Sequence, residues 1–257
     1  MRKTMLVAIA MAFVPLLFAS SAGAAELRLH GGGHFQGAGQ PFVEAFTEKT
    51  GIAASYTPGN TGGGGFLRRL NAGEQIDVIV LNREDMGRQV EAGLIKPDSA
   101  VNFARDGYGV AVLEGMPKPD ISTPEKLRTA LLAANAVGRQ EPDPAHHSGI
   151  IVQQFLIDLG ILDEMEEKTV IITDSTSALV EGKADFVIWS FTEILRNPDL
   201  EAAGPIPAEL GGYVTQAVGI PESSQNVANA EAFIQFITSA DGEAVYSNWG
   251  MEALPQE

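Results

Sequence analysis

Apolar, strand-like runs that empty into glycine or hydroxyl loops and then into helices recur along this chain. That alternation restricts it to an α/β architecture of mainly parallel sheets, whose ligand crevice lies at the carboxyl ends of the strands. Glu26–His30 alternates as a strand, Gly31–Gly39 is the first loop, and Phe42–Thr50 reads as a helix stopped by Gly51. The pattern repeats with a strand over Ala53–Thr57, the loop PGNTGGGG, a helix over Phe66–Ala72, the buried run DVIVL and a helix over Arg83–Ala92. Gly107–Leu113 and the Pro-rich Met116–Pro124 interrupt it and mark a passage into a second lobe. There the spacing predicts a helix over Pro124–Ala134, a strand over Asn135–Arg139, a helix over Ile150–Leu159, a strand over Thr169–Thr173, a helix over Ser175–Glu181 and the buried run DFVIW. Tyr213–Ile220 reads as a return passage, followed by helices over Val227–Thr238 and Glu243–Trp249.

All four histidines fall in two of the loops, His30 and His34 in LHGGGHFQGAG, His146 and His147 in DPAHHSGI. Imidazoles titrate near neutral pH, and glycine loops expose backbone N–H donors, a combination suited to holding an anion or moving a proton. If the loops face one another, all four imidazoles converge on one pocket. Gly31–Gly39, Gly59–Gly65, Pro144–Ile150 and Asp174–Ser177 all place small or hydroxyl residues where a helix begins, with Thr61, Ser148, Ser175, Thr176 and Ser177 as added donors. Helix capping is the plainer role for Asp174 and Ser175.

Arg2 and Lys3, the apolar Met5–Phe18 and Ala22-Gly23-Ala24 have the order of a secretory leader, so residues 1–24 are read as a signal peptide and the mature protein as periplasmic. No later run approaches the roughly 20 apolar residues a bilayer needs, and no membrane insertion is expected. With no Cys, the chain has neither disulfides nor a cysteine-borne lipid anchor. Without Arg2 and Lys3 the 17 basic residues fall to 15 against 33 acidic, a formal charge of −18. Nucleic acid and anionic lipid are disfavoured partners for such a chain, and a small anion must be held by local donors working against the overall field.

Other motifs carry less. Gly37–Gly39 lacks the rest of a dinucleotide fingerprint, Gly182-Lys183 is followed by Ala rather than Ser or Thr, and no G-x-S-x-G elbow accompanies His30-Gly31-Gly32-Gly33. His30 and His34 lie in a glycine loop rather than one turn apart on a helix, and there is no Cys, so a metal is not expected, and no cofactor is called for.

The order of phrases resembles the molybdate-binding-protein-like group of periplasmic solute-binding proteins. It is carried by LHGGGHFQGAGQPFVEAF, Phe46–Ile52, GGGGFLRRLNAGEQIDVIVL, Val90–Ile95, Asp143-Pro144 before Ser148-Gly149, Val180–Asp185, Ala240–Ala244 and Trp249-Gly250. The resemblance implies a type II binding-protein fold with the ligand in the interlobe cleft. Its lobes are drawn at residues 25–106 plus 216–257 and at 107–215. Where that group offers serines, this chain places His34 and Gly63, and the usual Tyr falls near Ser190. The implied binding set is Gly32, Gly33, His34, Thr61, Gly62, Gly63, Gly64, His147, Ser148, Gly149, Ser175 and Ser190.

Glycines for hydroxyls enlarge the pocket and suit an organic di- or tricarboxylate, delivered to an ABC permease. The alternative is an enzyme: one branch of the group resembles bacterial periplasmic aconitate isomerase, for which His34 or His147 would be the general base. Export is expected to leave Ala25 at the N-terminus; an intact mass retaining Met1, or carrying a lipid, would contradict this.

Overall fold

The computed structural model describes residues 25–59, 65–142 and 147–254, with the side chain of His147 outside that set. Eleven strands fall in this range: β1 (Leu27–Gly31), β2 (Ala54–Pro58), β3 (Val78–Asn82), β4 (Val101–Asp106), β5 (Tyr108–Leu113), β6 (Val137–Arg139), β7 (Thr169–Ile171), β8 (Phe186–Ser190), β9 (Leu200–Pro205), β10 (Val214–Gly219) and β11 (Glu252–Ala253). The helices are α1 (Gly39–Thr50), α2 (Gly65–Asn71), α3 (Arg83–Glu91), α4 (Pro124–Ala133), α5 (His147–Asp158), α6 (Leu162–Glu166), α7 (Ser177–Val180), α8 (Phe191–Arg196), α9 (Val227–Ile237) and α10 (Ala240–Ser247).

The strands form two sheets, six-stranded in the order β11-β4-β10-β3-β1-β2 and five-stranded in the order β7-β6-β8-β5-β9. Both have a parallel heart, β2-β1-β3 in one and β7-β6-β8 in the other. Both are extended by antiparallel strands, because the chain crosses between sheets and returns in the opposite sense. It leaves the first sheet after Asp106, enters the second at Tyr108, and comes back between Pro205 and Val214. This is the two-lobed α/β arrangement.

The apolar runs lie where continuous burial requires. The first four residues of β3 and all of β8 are buried, as expected of central strands covered on both faces. Helix α1 buries Phe42, Val43 and Phe46 and ends at Gly51, whose φ of 72° and N–H to the Thr47 carbonyl close the last turn. Its aromatic face meets α9 and α10: Phe42 stacks on Phe35 at 5.4 Å and meets Phe233, Phe236 and Tyr246 at 6.4–6.5 Å. Chain ends far apart in sequence therefore share one core.

Some elements were not readable. Strand β4 carries Asn102, Arg105 and Asp106, and β9 carries Glu201, Gly204 and Pro205, so neither shows an apolar run. The helix read over Ser175–Glu181 is one turn, Ser177–Val180, since Asp174 holds the preceding residues in a turn. Replacing Phe42 with Ala should cost about 3–5 kcal/mol in urea unfolding, because the side chain is fully enclosed by rings that cannot collapse onto the vacancy.

Candidate functional site

Strand β1 ends at Gly31, where an added Cβ would lie 2.7 Å from the Phe35 ring and 3.4 Å from Val80, so the chain turns tightly over its own core. Gly32 is extended and buried, Gly33 takes φ 54°, and a single 3-10 turn over Gly33–Phe35 follows. With Phe35 locked in the core, His34 is turned toward the crossing between the sheets, its side chain 14% exposed.

There His34 Nδ1 meets Asp106 Oδ2. Asp106 is the last residue of β4 and wholly inaccessible to solvent. The same oxygen accepts the Ser190 hydroxyl at 3.0 Å and lies 3.2 Å from Thr192 Oγ1, which is also 3.1 Å from the His34 carbonyl. Ser190 caps α8, with Glu193 three residues on. One carboxylate thus joins the first-sheet loop carrying His34 to the end of β8 in the second sheet.

Burial by itself would lower the His34 pKa, but the charge and hydrogen bond of Asp106, helped by the charge of Glu193, outweigh it and raise the pKa above the ordinary 6.5. A carboxylate on Nδ1 also fixes the ring and leaves Nε2 as the nitrogen for chemistry.

Beside this pair, Tyr108, Gln140, Ser148, Ser190 and Glu193 line a cavity of about 30 Å3. Ser148, half-buried, stands in the first turn of α5; an added Cβ on buried Gly149 would collide with the Glu141 carbonyl, so only glycine lets α5 begin so close to the end of β6. Tyr108 opens β5, and its ring meets His34 edge-on at 5.8 Å. Among the described residues, Asp106 Oδ1 and the Tyr108 hydroxyl are buried without a hydrogen-bond partner.

The structure thus brings His34, Ser148 and Ser190 to one crossing. Ser175 lies half-buried in the turn before α7, while Asp174 takes the capping role, accepting from the N–H groups of Thr176 and Ser177 at 2.9 and 2.8 Å. Thr61, Gly62, Gly63, Gly64 and His146 lie outside the described residues, as does the side chain of His147. His30 does not join His34. It is 1% exposed, its Nδ1 donates to the Thr57 carbonyl at 2.8 Å, and it lines a separate groove of about 300 Å3 with Arg28, Ser55 and Glu74. Burial, foremost, lowers its pKa, and it serves as a neutral strand-face residue. The convergence expected of all the imidazoles therefore does not extend to His30.

Asp106, Tyr108, Thr192 and Glu193 were not anticipated. A signal existed for Glu193: Ser190-Phe191-Thr192-Glu193 has the S-x-x-E form of a capping box directly after the buried run. Among the described residues no group of three or more His, Cys, Asp or Glu side chains is placed to hold a metal ion, and no helix is long and apolar enough to cross a membrane.

Because the folded pKa of His34 exceeds its unfolded value, the stability it contributes is complete below pH 6.5 and is lost as pH rises through the folded pKa. The stability gap between wild type and His34→Gln should therefore be wider at pH 6 than at pH 9 in urea titrations; a gap that widens with pH would contradict the pairing.

The family model for bacterial extracellular solute-binding proteins matches residues 27–252. Aconitate isomerase from a Pseudomonas species is 25% identical over 257 residues, covering 97% of this chain and 95% of that one. The substrate-binding domain of a molybdenum ABC transporter protein from Clostridium difficile superimposes with a TM-score of 0.73 at 17% identity, over 90% of this chain and 99% of that one. The periplasmic molybdate-binding protein of Azotobacter vinelandii does so with a TM-score of 0.69 at 21% identity, over 90% and 100%. This chain belongs to the bacterial extracellular solute-binding protein family, and its fold is that of the molybdate-binding-protein-like group.

Proposed function

We propose that the protein is periplasmic and binds a small organic di- or tricarboxylate between its lobes, handing it to an ABC permease. The lobes comprise residues 25–106 with 216–257, and 107–215, and close about the crossings near Gly107 and Val214. The observation that carries this reading is the His34–Asp106 pair. The raised pKa favours the protonated ring, whose Nε2–H can donate to an anion in a chain whose formal charge excluding Arg2 and Lys3 is −18. In this reading Gly32, Gly33, Thr61, Gly62, Gly63, Gly64, His147, Ser148, Gly149, Ser175 and Ser190 line the rest of the ligand. Where a tetrahedral oxyanion would be ringed by hydroxyls, glycine stands at position 63 and imidazole at 34.

A second reading, isomerisation of aconitate without a cofactor, is favoured by two observations: a carboxylate on Nδ1 of an imidazole also suits its other nitrogen to act as a general base, and a relative matched over 97% of this chain is an aconitate isomerase. Neutral His34 would take an allylic methylene proton on Nε2. The released electron pair would move the double bond by one carbon, and the proton would return to the far end of the allyl unit, so nothing is gained or lost. His147 is the other candidate base.

Incubation of the purified protein with cis- and trans-aconitate, read by chromatography, separates transport from turnover. A thermal-shift panel of molybdate, sulfate, and di- and tricarboxylates tests the ligand class. At about 100 times the dissociation constant a true ligand adds about 2.7 kcal/mol of stability. Stabilisation by molybdate or sulfate alone would overturn the carboxylate reading. If the protein is an isomerase, His34→Gln should lower turnover about 100-fold or more while affinity falls far less. Affinity should then decline and turnover rise as pH passes upward through the His34 pKa, because the imidazolium holds the anion and the neutral ring takes the proton.

A further inference from the structure

The Tyr108 hydroxyl is the least explained polar group at the crossing. The side chain is 2% exposed, its ring fixed edge-on against His34 at 5.8 Å and Phe155 at 5.9 Å. Phenylalanine would make both ring contacts without burying a hydroxyl, and an unpaired buried hydroxyl costs free energy. The phenol, which Ser148 approaches closely enough to draw its pKa down, has no hydrogen bond of ordinary geometry among the described residues. It opens instead onto the cavity of about 30 Å3 shared with Ser148, Ser190 and Glu193. A water needs about 10–15 Å3 of such space, so the chamber has room for an oxygen or two of a ligand and not the ligand itself.

We propose that Tyr108 contacts the ligand, its unspent hydroxyl donating a hydrogen bond to a single carboxylate oxygen that enters the chamber between Ser148 and Ser190. This rests on the carboxylate reading of the cleft. Burial, foremost, and the charges of Asp106 and Glu193 outweigh the lowering effect of Ser148 and push the phenol pKa up, so the group stays a neutral donor near neutral pH. Neutrality matters here because Glu193, held by Trp189 Nε1 at 2.7 Å, also lines the chamber. Its charge opposes an anionic oxygen, and the Tyr108 donor offsets that opposition. If the site turns over substrate, removing an allylic proton places negative charge on the adjacent carboxylate, and a donor already aimed at that oxygen binds it more tightly at that moment.

The test is Tyr108→Phe, compared with wild type by calorimetric titration with cis- and trans-aconitate and by thermal unfolding without ligand. The ring packing is kept, so the unliganded midpoint should stay level or rise, while affinity should fall about tenfold or more, as for loss of a charge-assisted hydrogen bond. Glu193→Gln should tighten binding. Wild-type binding with unchanged affinity in Tyr108→Phe would overturn the role of Tyr108 and leave the carboxylate reading standing. No binding of either aconitate or any other carboxylate by wild type would overturn both.

Discussion

One oxygen atom organises the crossing between the sheets. Asp106 Oδ2 takes the imidazole of His34 from the first sheet and the hydroxyl of Ser190 from the second, with Thr192 alongside. Enclosing a carboxylate this completely is costly, and removing one partner of a buried pair typically loses about 3–5 kcal/mol. The arrangement is thus poor as a stabilising device, since an apolar pair of similar volume would do as well or better. Its value lies in placement: the ring orientation, the charge on the imidazole and the spacing of the His34 loop from the end of β8 depend on the same contact. A change at Asp106 would be felt at all three together.

The alternation of apolar runs with glycine loops was enough to draw the parallel heart of each sheet, because β3 and β8 are covered on both faces and their sequences say so. The crossing strands were harder to see. The residues of β4 are chosen by what they meet, Asp106 by His34 and Arg105 by Glu252 and the Tyr213 ring, so their pattern has no period of two. The site was legible in the same uneven way. His34, Ser148 and Ser190 stand in loops whose composition announces them, whereas Asp106 and Tyr108 flank a glycine at a crossing and draw their importance from partners at least 40 residues away, among them His34, Ser190 and Phe155. His30 shows the opposite error. Two histidines four residues apart look alike in sequence, yet strand geometry carries the first onto the face of β1 beside Thr57, while a 3-10 turn frees the second.

The overall charge gives the site a particular economy. A chain this acidic repels small anions at long range, so the capture we propose would depend on groups that act within a few ångströms: a protonatable imidazole, hydroxyls and amides of tight glycine turns. Such donors are indifferent to the distant field. In that reading they would also make the site selective by shape, since each contact must be reached by a specific oxygen.

The strand order of the first sheet bears on how the molecule is assembled. β10, which begins at Val214, lies between β4 and β3, and β11 completes the far edge. Until those late residues are present, β4 has no neighbour in its own sheet and β3 keeps an open edge, while α1 lacks the aromatic faces of α9 and α10. Any machinery that handles the chain from its N-terminus therefore meets a polypeptide with no finished first lobe. The second sheet, drawn from the continuous stretch 108–205, is under no such restriction. The strands of the second sheet are thus all present before those of the first sheet are complete.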